Sequence, residues 1–131
     1  MKVLDTDTCI EILRGNEAVI ERRAQTSDDV VTTWITAAEL RYGAAKSVAP
    51  EKNHALVTKF LATLPVLGLD AAAAQIFGEA KALLERQGQR LADADLLIGA
   101  IAAAKQATIV TGNTKHYARI PGVALEDWIR G

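Results

Sequence analysis

The chain has 131 residues, of which 50% are apolar and 24% are Asp, Glu, Lys or Arg, and its formal charge is −1 at pH 7. A chain of this length buries about 68% of its unfolded surface, enough for a real core, which excludes a disordered protein. The near-zero net charge excludes a globally basic, histone-like nucleic-acid binder, while leaving room for a local basic rim or an acidic pocket.

The longest uncharged apolar run, Leu96–Ala104 between Asp95 and Lys105, is far too short to span a bilayer. MKVLDTDT introduces acids after only two apolar residues, which does not read as a signal peptide. The lone cysteine, Cys9, cannot form an internal disulfide. These features point to a cytoplasmic protein with no membrane partner, folded as one domain over residues 1–131.

In chain order, Lys2–Asp5 is a short apolar run cut off by acids and reads as a buried strand. Thr8–Arg14 reads as a helix stopped by Gly15, and Glu17–Gln25 as a second one. Val30–Thr33 is β-branched and strand-like. Thr36–Ala49 opens with the capping-box spacing Thr36…Glu39 and reads as a helix. Pro50 suits the first turn of the next helix, where Leu56, Val57, Phe60, Leu61 and Leu64 recur at helical spacing until Pro65.

Val66–Leu69 reads as a strand. Asp70 caps a long helix with Ala73, Ile76, Phe77, Ala80, Leu83 and Leu84 on one face, and Gly88 stops it. Asp93 reads as the cap of a helix over Asp95–Gln106, which is apolar nearly all round and therefore buried. Thr108–Thr111 follows as a strand, Thr114–Arg119 as a short helix and Val123–Leu125 as a last edge strand. Strands alternating with helices predict an α/β fold, a three-layer α/β/α sandwich around a mostly parallel sheet. In such sheets the functional crevice lies beyond the carboxyl ends of the strands, here just after Leu4, Thr33 and Thr111.

Three acids fall near that edge. Asp5 ends the first strand, Glu39 lies in the first turn of the helix after the second, and Asp95 opens the buried helix before the fourth. Asp7 and Asp93 lie close by. Each has a structural alternative: Glu39 completes a capping box, Asp95 favours the helix dipole, and Asp7 and Asp93 act as caps. Asp5 is the hardest to explain that way, because Asp is depleted in strands.

Two carboxylates about 4 Å apart repel by roughly 4 kcal/mol at an effective dielectric near 20, so three in one crevice call for a cation. Oxygen ligands suit Mg²⁺ or Mn²⁺. Two histidines and one cysteine, with no CxxC or HxxxH spacing, fit zinc poorly. A carboxylate-held Mg²⁺ serves phosphate chemistry. Neither GxxxxGK[ST] nor GxGxxG is present, so nucleoside-triphosphate hydrolysis and dinucleotide redox chemistry lack their phosphate cradle. Phosphodiester hydrolysis is the natural candidate.

VLDTDTCI, ITAAELRYGAAKS, ADADLLIGAIAAA, IVTGNTKHYARIPGV and EDW stand in the order and spacing found in PIN-domain ribonucleases. More narrowly, the chain resembles the VapC toxins of toxin–antitoxin pairs, over almost its whole length. The resemblance implies a compact α/β/α fold and a Mg²⁺- or Mn²⁺-dependent endoribonuclease with Asp5, Glu39 and Asp95 as its catalytic, metal-holding acids. It implies cleavage of RNA (tRNA, rRNA or mRNA) to 5′-phosphate and 3′-hydroxyl ends, a cognate antitoxin that blocks the site, and a homodimer or toxin–antitoxin hetero-oligomer.

The chain departs from the family at Asp7, where relatives usually carry Asn, and at Asn113, where many carry a fourth acid. Asn113 can still ligate through its carbonyl or bond a metal-bound water. Asp7 and Asp93 are outer-shell candidates, as is Thr6, whose hydroxyl can orient Asp5 or a phosphate or simply pack.

Lys115, His116 and Arg119 are the basic group nearest the TGN edge, as RNA contacts or as a solvated helix face. Cys9 reads as a small buried hydrophobe and His54 as a surface residue. Trp34 and Trp128 read as packing anchors, with Trp34 alternatively at an interface. Ile10, Leu13, Leu56 and Phe60 are expected to wall an apolar groove for an amphipathic antitoxin segment, from which a basic side chain could reach the acids.

Two other readings compete. Asp5-Thr6-Asp7-Thr8 resembles the opening of the DxDxT motif of haloacid-dehalogenase-like phosphatases, which leaves Glu39 and IPGV…EDW unexplained. The second is a catalytically silent PIN scaffold that binds a partner or RNA.

Overall fold

The computed structural model describes residues 1–131. Five short strands form the central sheet: β1 (Lys2–Leu4), β2 (Val30–Thr33), β3 (Val66–Leu67), β4 (Thr108–Val110) and β5 (Ala124–Glu126). Their spatial order is β3-β2-β1-β4-β5, and every pairing is parallel. The connections carry α1 (Thr6–Leu13) and α2 (Glu17–Gln25), then α3 (Trp34–Ala45) and α4 (Pro50–Leu61), then α5 (Ala71–Arg86) and α6 (Asp93–Ala104), and last α7 (Thr114–Tyr117).

Successive strand residues point to opposite faces, which divides the core in two. Val3, Val31 and Ile109 face one layer and pack on Ala80, Leu84, Leu96, Ile98 and Ala102 of α5 and α6. Leu4 and Val110 face the other and pack on Cys9, Val19, Val57 and Phe60 of α1, α2 and α4, with Trp128 closing that side. This is the expected three-layer α/β/α architecture, with the sheet wholly parallel. Helix α6 is buried as its all-round apolar pattern predicts, with Leu96, Ile98, Gly99, Ala100, Ile101 and Ala102 all out of solvent.

The helix starts differ from expectation where two residues compete for one cap. Helix α1 begins at Thr6, because Asp5 itself is the N-cap and accepts from the Thr6 N–H; Asp7 lies inside the first turn and caps nothing. Helix α3 begins at Trp34, because Thr33 is the cap and accepts from the Thr36 N–H. Glu39 therefore sits in the second turn, not the first, and no capping box forms. Helix α6 begins at Asp93, with Ala92 at the cap position and no side-chain cap bond. Asp93 instead pairs with Lys81 of α5 at 2.9 Å. Asp70 caps α5 as predicted, and Gly15 and Gly88 stop α1 and α5 at positive φ.

The chain winds outward from β1 through β2 to β3, then returns to the other side of β1 for β4 and β5. The direction reverses between β1 and β4, and the carboxyl ends of these two strands flank that reversal, the place where open α/β sheets bind ligands.

Candidate active site

Asp5 stands at the reversal. Its backbone N–H donates to the Val110 carbonyl at 2.9 Å, which continues the β1–β4 pairing one residue past β1. The residue is 4% exposed. Oδ1 accepts from the Thr6 N–H at 2.8 Å and the Tyr117 hydroxyl at 3.0 Å, and Oδ2 accepts from the Thr111 hydroxyl at 2.8 Å. The donors come from the start of α1, the end of β4 and α7, so the carboxylate is held from three directions.

Asp95, half-buried in the first turn of α6, lies on the far side of the same phenol, with Oδ1 3.5 Å from the Tyr117 hydroxyl. Glu39 is exposed and accepts from the Thr6 hydroxyl at 2.5 Å. That hydroxyl also lies 3.1 Å from the Thr36 hydroxyl, so α1 and α3 meet through a short chain of threonines. All three acids are thus brought to the carboxyl edge of the sheet, linked by hydroxyl groups rather than directly. No three acidic, histidine or cysteine side chains form a ready-made ligand cluster, so the single shared crevice expected from the sequence is looser than expected.

The electrostatics mark Asp5 and Asp95 as short of positive charge. Burial pushes the Asp5 carboxyl up to about 6 from 3.8, against the pull of Thr111, Thr6 and Tyr117, and the charge of Asp7 adds to the push. Burial also raises Asp95, partly offset by His116. Tyr117 is raised by burial and then by the charges of Asp5 and Asp95, so it stays a protonated donor.

The ion pairs of the chain lie elsewhere. Lys2 pairs with Asp28 and Glu126, Arg22 with Glu126, Arg14 with Glu11, Lys81 with Asp93 and Arg130 with Asp127. None of Asp5, Asp7, Glu39 and Asp95 takes part in an ion pair, and His116 is the basic group whose charge reaches Asp95. An all-oxygen, uncompensated donor set is chemically suited to a hard divalent cation.

The remaining candidates take other places. Asp7 accepts the Gly112 N–H at 2.8 Å and ties α1 to the loop after β4. A Cβ on Gly112 would come within 2.8 Å of the Arg130 guanidinium and 2.9 Å of that carboxylate, so any larger residue would displace one of these side-chain ends. Asp93, 60% exposed in its side chain, is engaged by Lys81. Asn113 is exposed; its N–H donates to the Thr111 hydroxyl, and its side chain makes no capping bond to α7.

Lys115, His116 and Arg119 are exposed around α7, with Arg119 donating to the Arg90 carbonyl at 3.3 Å. Cys9 is buried, which pushes its thiol up to about 12. His54 is half-buried beside Arg41, not free on the surface. Trp128 is buried as expected, whereas Trp34 is 59% exposed and is no packing anchor, because α3 starts there at the sheet edge. Two residues escaped the sequence reading: Thr111, which reads as the end of a strand, and Tyr117, whose neighbours in sequence carry no pattern that marks a buried phenol.

A groove of about 960 Å³ opens between α1, α3 and α4. Ile10, Leu13, Ile35, Tyr42 and Leu56 line it, and it reaches Thr6 and Glu39 at the acidic edge. Phe60, expected in its wall, is buried in the core instead.

The PIN domain family model matches residues 2–123. The tRNA(fMet)-specific endonuclease VapC of Salmonella typhimurium is 39% identical over 127 residues, covering 96% of each chain. The protein of the same description from Shigella flexneri is 36% identical with the same coverage. The crystal structure of DNA-bound VapBC from Salmonella typhimurium superposes with a TM-score of 0.91 at 38% identity, covering 97% of each chain.

Proposed function

The chain belongs to the PIN-domain family, and we propose that Asp5, Glu39 and Asp95 are the metal-holding acids of its nuclease site. It is a ribonuclease of the VapC kind, the toxin of a toxin–antitoxin pair whose partner is a cognate antitoxin. PIN-domain nucleases are generally dependent on divalent metals. The phosphatase alternative is not favoured: the family match covers almost the whole chain, and Asp7, its required general acid, is occupied by the Gly112 N–H.

The observation that carries the site reading is the gathering of Asp5, Asp95 and Glu39 at the carboxyl edge of the sheet, none of them in an ion pair. Their carboxylate oxygens would hold Mg²⁺ or Mn²⁺. When bound, the cation supplies a water of lowered pKa and stabilises charge on the phosphoryl oxygens. The protein's own part is positional. Asp5 is fixed by Thr6, Thr111 and Tyr117. Glu39 is the exposed member, tethered to α1 through the Thr6 hydroxyl and open toward the solvent side where RNA would lie. Asp7 holds the Gly112 loop, which carries Asn113 and then the basic Lys115, His116 and Arg119 toward a phosphate backbone.

Transfer RNA is the substrate class we propose, on the strength of the two relatives described above. We assign the α1–α3–α4 groove to an apolar segment of the antitoxin, because it ends at Glu39 and Thr6, where a basic side chain of that segment would meet the acids.

Mapping RNA 5′ ends after incubation with tRNA tests the reading. Discrete cuts bearing 5′-phosphates are expected in Mg²⁺, lost in EDTA and reduced about 100-fold or more in Asp5→Asn, since losing a ligand costs at least what losing its supporting partner does. Cleavage that survives EDTA, or that Asp5→Asn leaves intact, contradicts it.

A further inference from the structure

We propose that Tyr117 is a positioning residue for the divalent cation, its hydroxyl joining Asp5 to Asp95 and fixing the pair in the orientation that receives the ion. The inference rests on the reading of these two acids as metal-holding. Tyr117 is wholly buried, yet its hydroxyl meets carboxylates on two different elements, 3.0 Å from Asp5 Oδ1 and 3.5 Å from Asp95 Oδ1. A buried phenol needs a partner for its O–H. It could have found a backbone carbonyl; instead both of its neighbours are acids of the site.

One O–H makes one strong bond. The shorter contact is to Asp5, and the longer one holds Asp95 at the limit of hydrogen-bonding reach. Asp5 then has three donors, Tyr117, the Thr6 N–H and the Thr111 hydroxyl, against roughly four acceptor positions on a carboxylate. Three fixed donors stop the carboxylate from rotating and leave its remaining acceptor capacity on Oδ2.

The ring has a separate task. It packs in the core beside Gly99 and Ile120, and phenylalanine would fill that space equally well. The hydroxyl is therefore separable from the packing, and its work is at the carboxylates. A partner of this kind, bonded to a ligand rather than to the metal, typically governs metal affinity by 10- to 100-fold.

Calorimetric titration of the RNA-free protein with Mn²⁺ tests this. Tyr117→Phe is expected to weaken Mn²⁺ binding about 10-fold or more. Its RNA cleavage is expected to recover as Mn²⁺ is raised, so that the apparent metal constant moves and the maximal rate does not. A purely structural hydroxyl would lower the thermal midpoint in EDTA and leave Mn²⁺ affinity unchanged, and that result overturns the proposal.

A second measurement needs no substitution at position 117. The chain has two tyrosines, and Tyr42 is 66% exposed, so 3-fluorotyrosine labelling gives a buried reporter with an exposed internal control. Mg²⁺ is expected to shift the Tyr117 ¹⁹F resonance and not that of Tyr42; a Tyr117 resonance indifferent to saturating Mg²⁺ overturns the proposal. Wild-type protein that binds no Mn²⁺ at all removes the metal reading and this inference together, whereas wild-type binding with an unaltered Tyr117→Phe removes this inference alone.

Discussion

Asp5 is a carboxylate that the fold makes costly to ionise. It is buried at a strand end with three hydrogen-bond donors and no cation, and its pKa rises from 3.8 to about 6. An acid with a raised folded-state pKa binds its proton more tightly when folded. Stability is then fullest below about pH 3.8 and falls as pH rises through about 6. At 1.36 kcal/mol per unit the loss is about 3 kcal/mol. Chemical denaturation in EDTA between pH 4 and 7 checks this. Wild type is expected to lose stability across that window relative to Asp5→Asn, and parallel curves would contradict the account. A saturating divalent cation is expected to reverse the loss by binding the ionised form. Asp5 stands out in the sequence because Asp is depleted in strands, and the structure gives it a second use as the N-cap of α1. Tyr117 and Thr111 do not stand out, because their roles depend on a contact more than 100 residues away along the chain.

At the scale of single elements, α3 carries Glu39 to the site, and its start decides where that residue points. Thr33, fully buried, caps the helix through the Thr36 N–H at 3.1 Å. Thr33→Val removes the cap oxygen at nearly constant volume and is expected to cost about 1 kcal/mol in urea unfolding; an unchanged unfolding midpoint would show that the helix does not depend on it. Element existence and type were largely legible, because β-branched runs, helical spacing and Gly or Pro stops agree with one another over Glu17–Gln25, Val30–Thr33 and the Asp70-capped α5. The starts of α1, α3 and α6 were not. DTDT and TTWIT each offer two capping side chains, and sheet pairing chooses between them by fixing where the strand ends, whereas α6 follows a loop and starts at Asp93 with neither aspartate of ADAD as its cap. Glu39 moved from a supposed capping box to a bond with Thr6 for that reason.

For the molecule as a whole, alternation of strand and helix predicted the layered parallel sheet, and the reversal of winding at β1 and β4 brought the acids to one edge. The same edge receives the end of the α1–α3–α4 groove, so an antitoxin segment seated there, as proposed, would cover the acids. Leu56 lines the groove and is 43% exposed, so Leu56→Asp leaves the core intact. It is expected to weaken antitoxin binding about 10-fold or more, as for a buried interface anchor, while tRNA cleavage persists. Unchanged antitoxin affinity by calorimetry would place the partner elsewhere.

Asp5, Glu39 and Asp95 are proposed to share one divalent cation, and crystals soaked in Mn²⁺ test this by anomalous scattering. One strong peak bonded to Asp5 and Asp95, with Glu39 reaching it directly or through water, is the predicted result. The contrary result is three carboxylates turned to separate places with no ion between them, or a peak held by other residues.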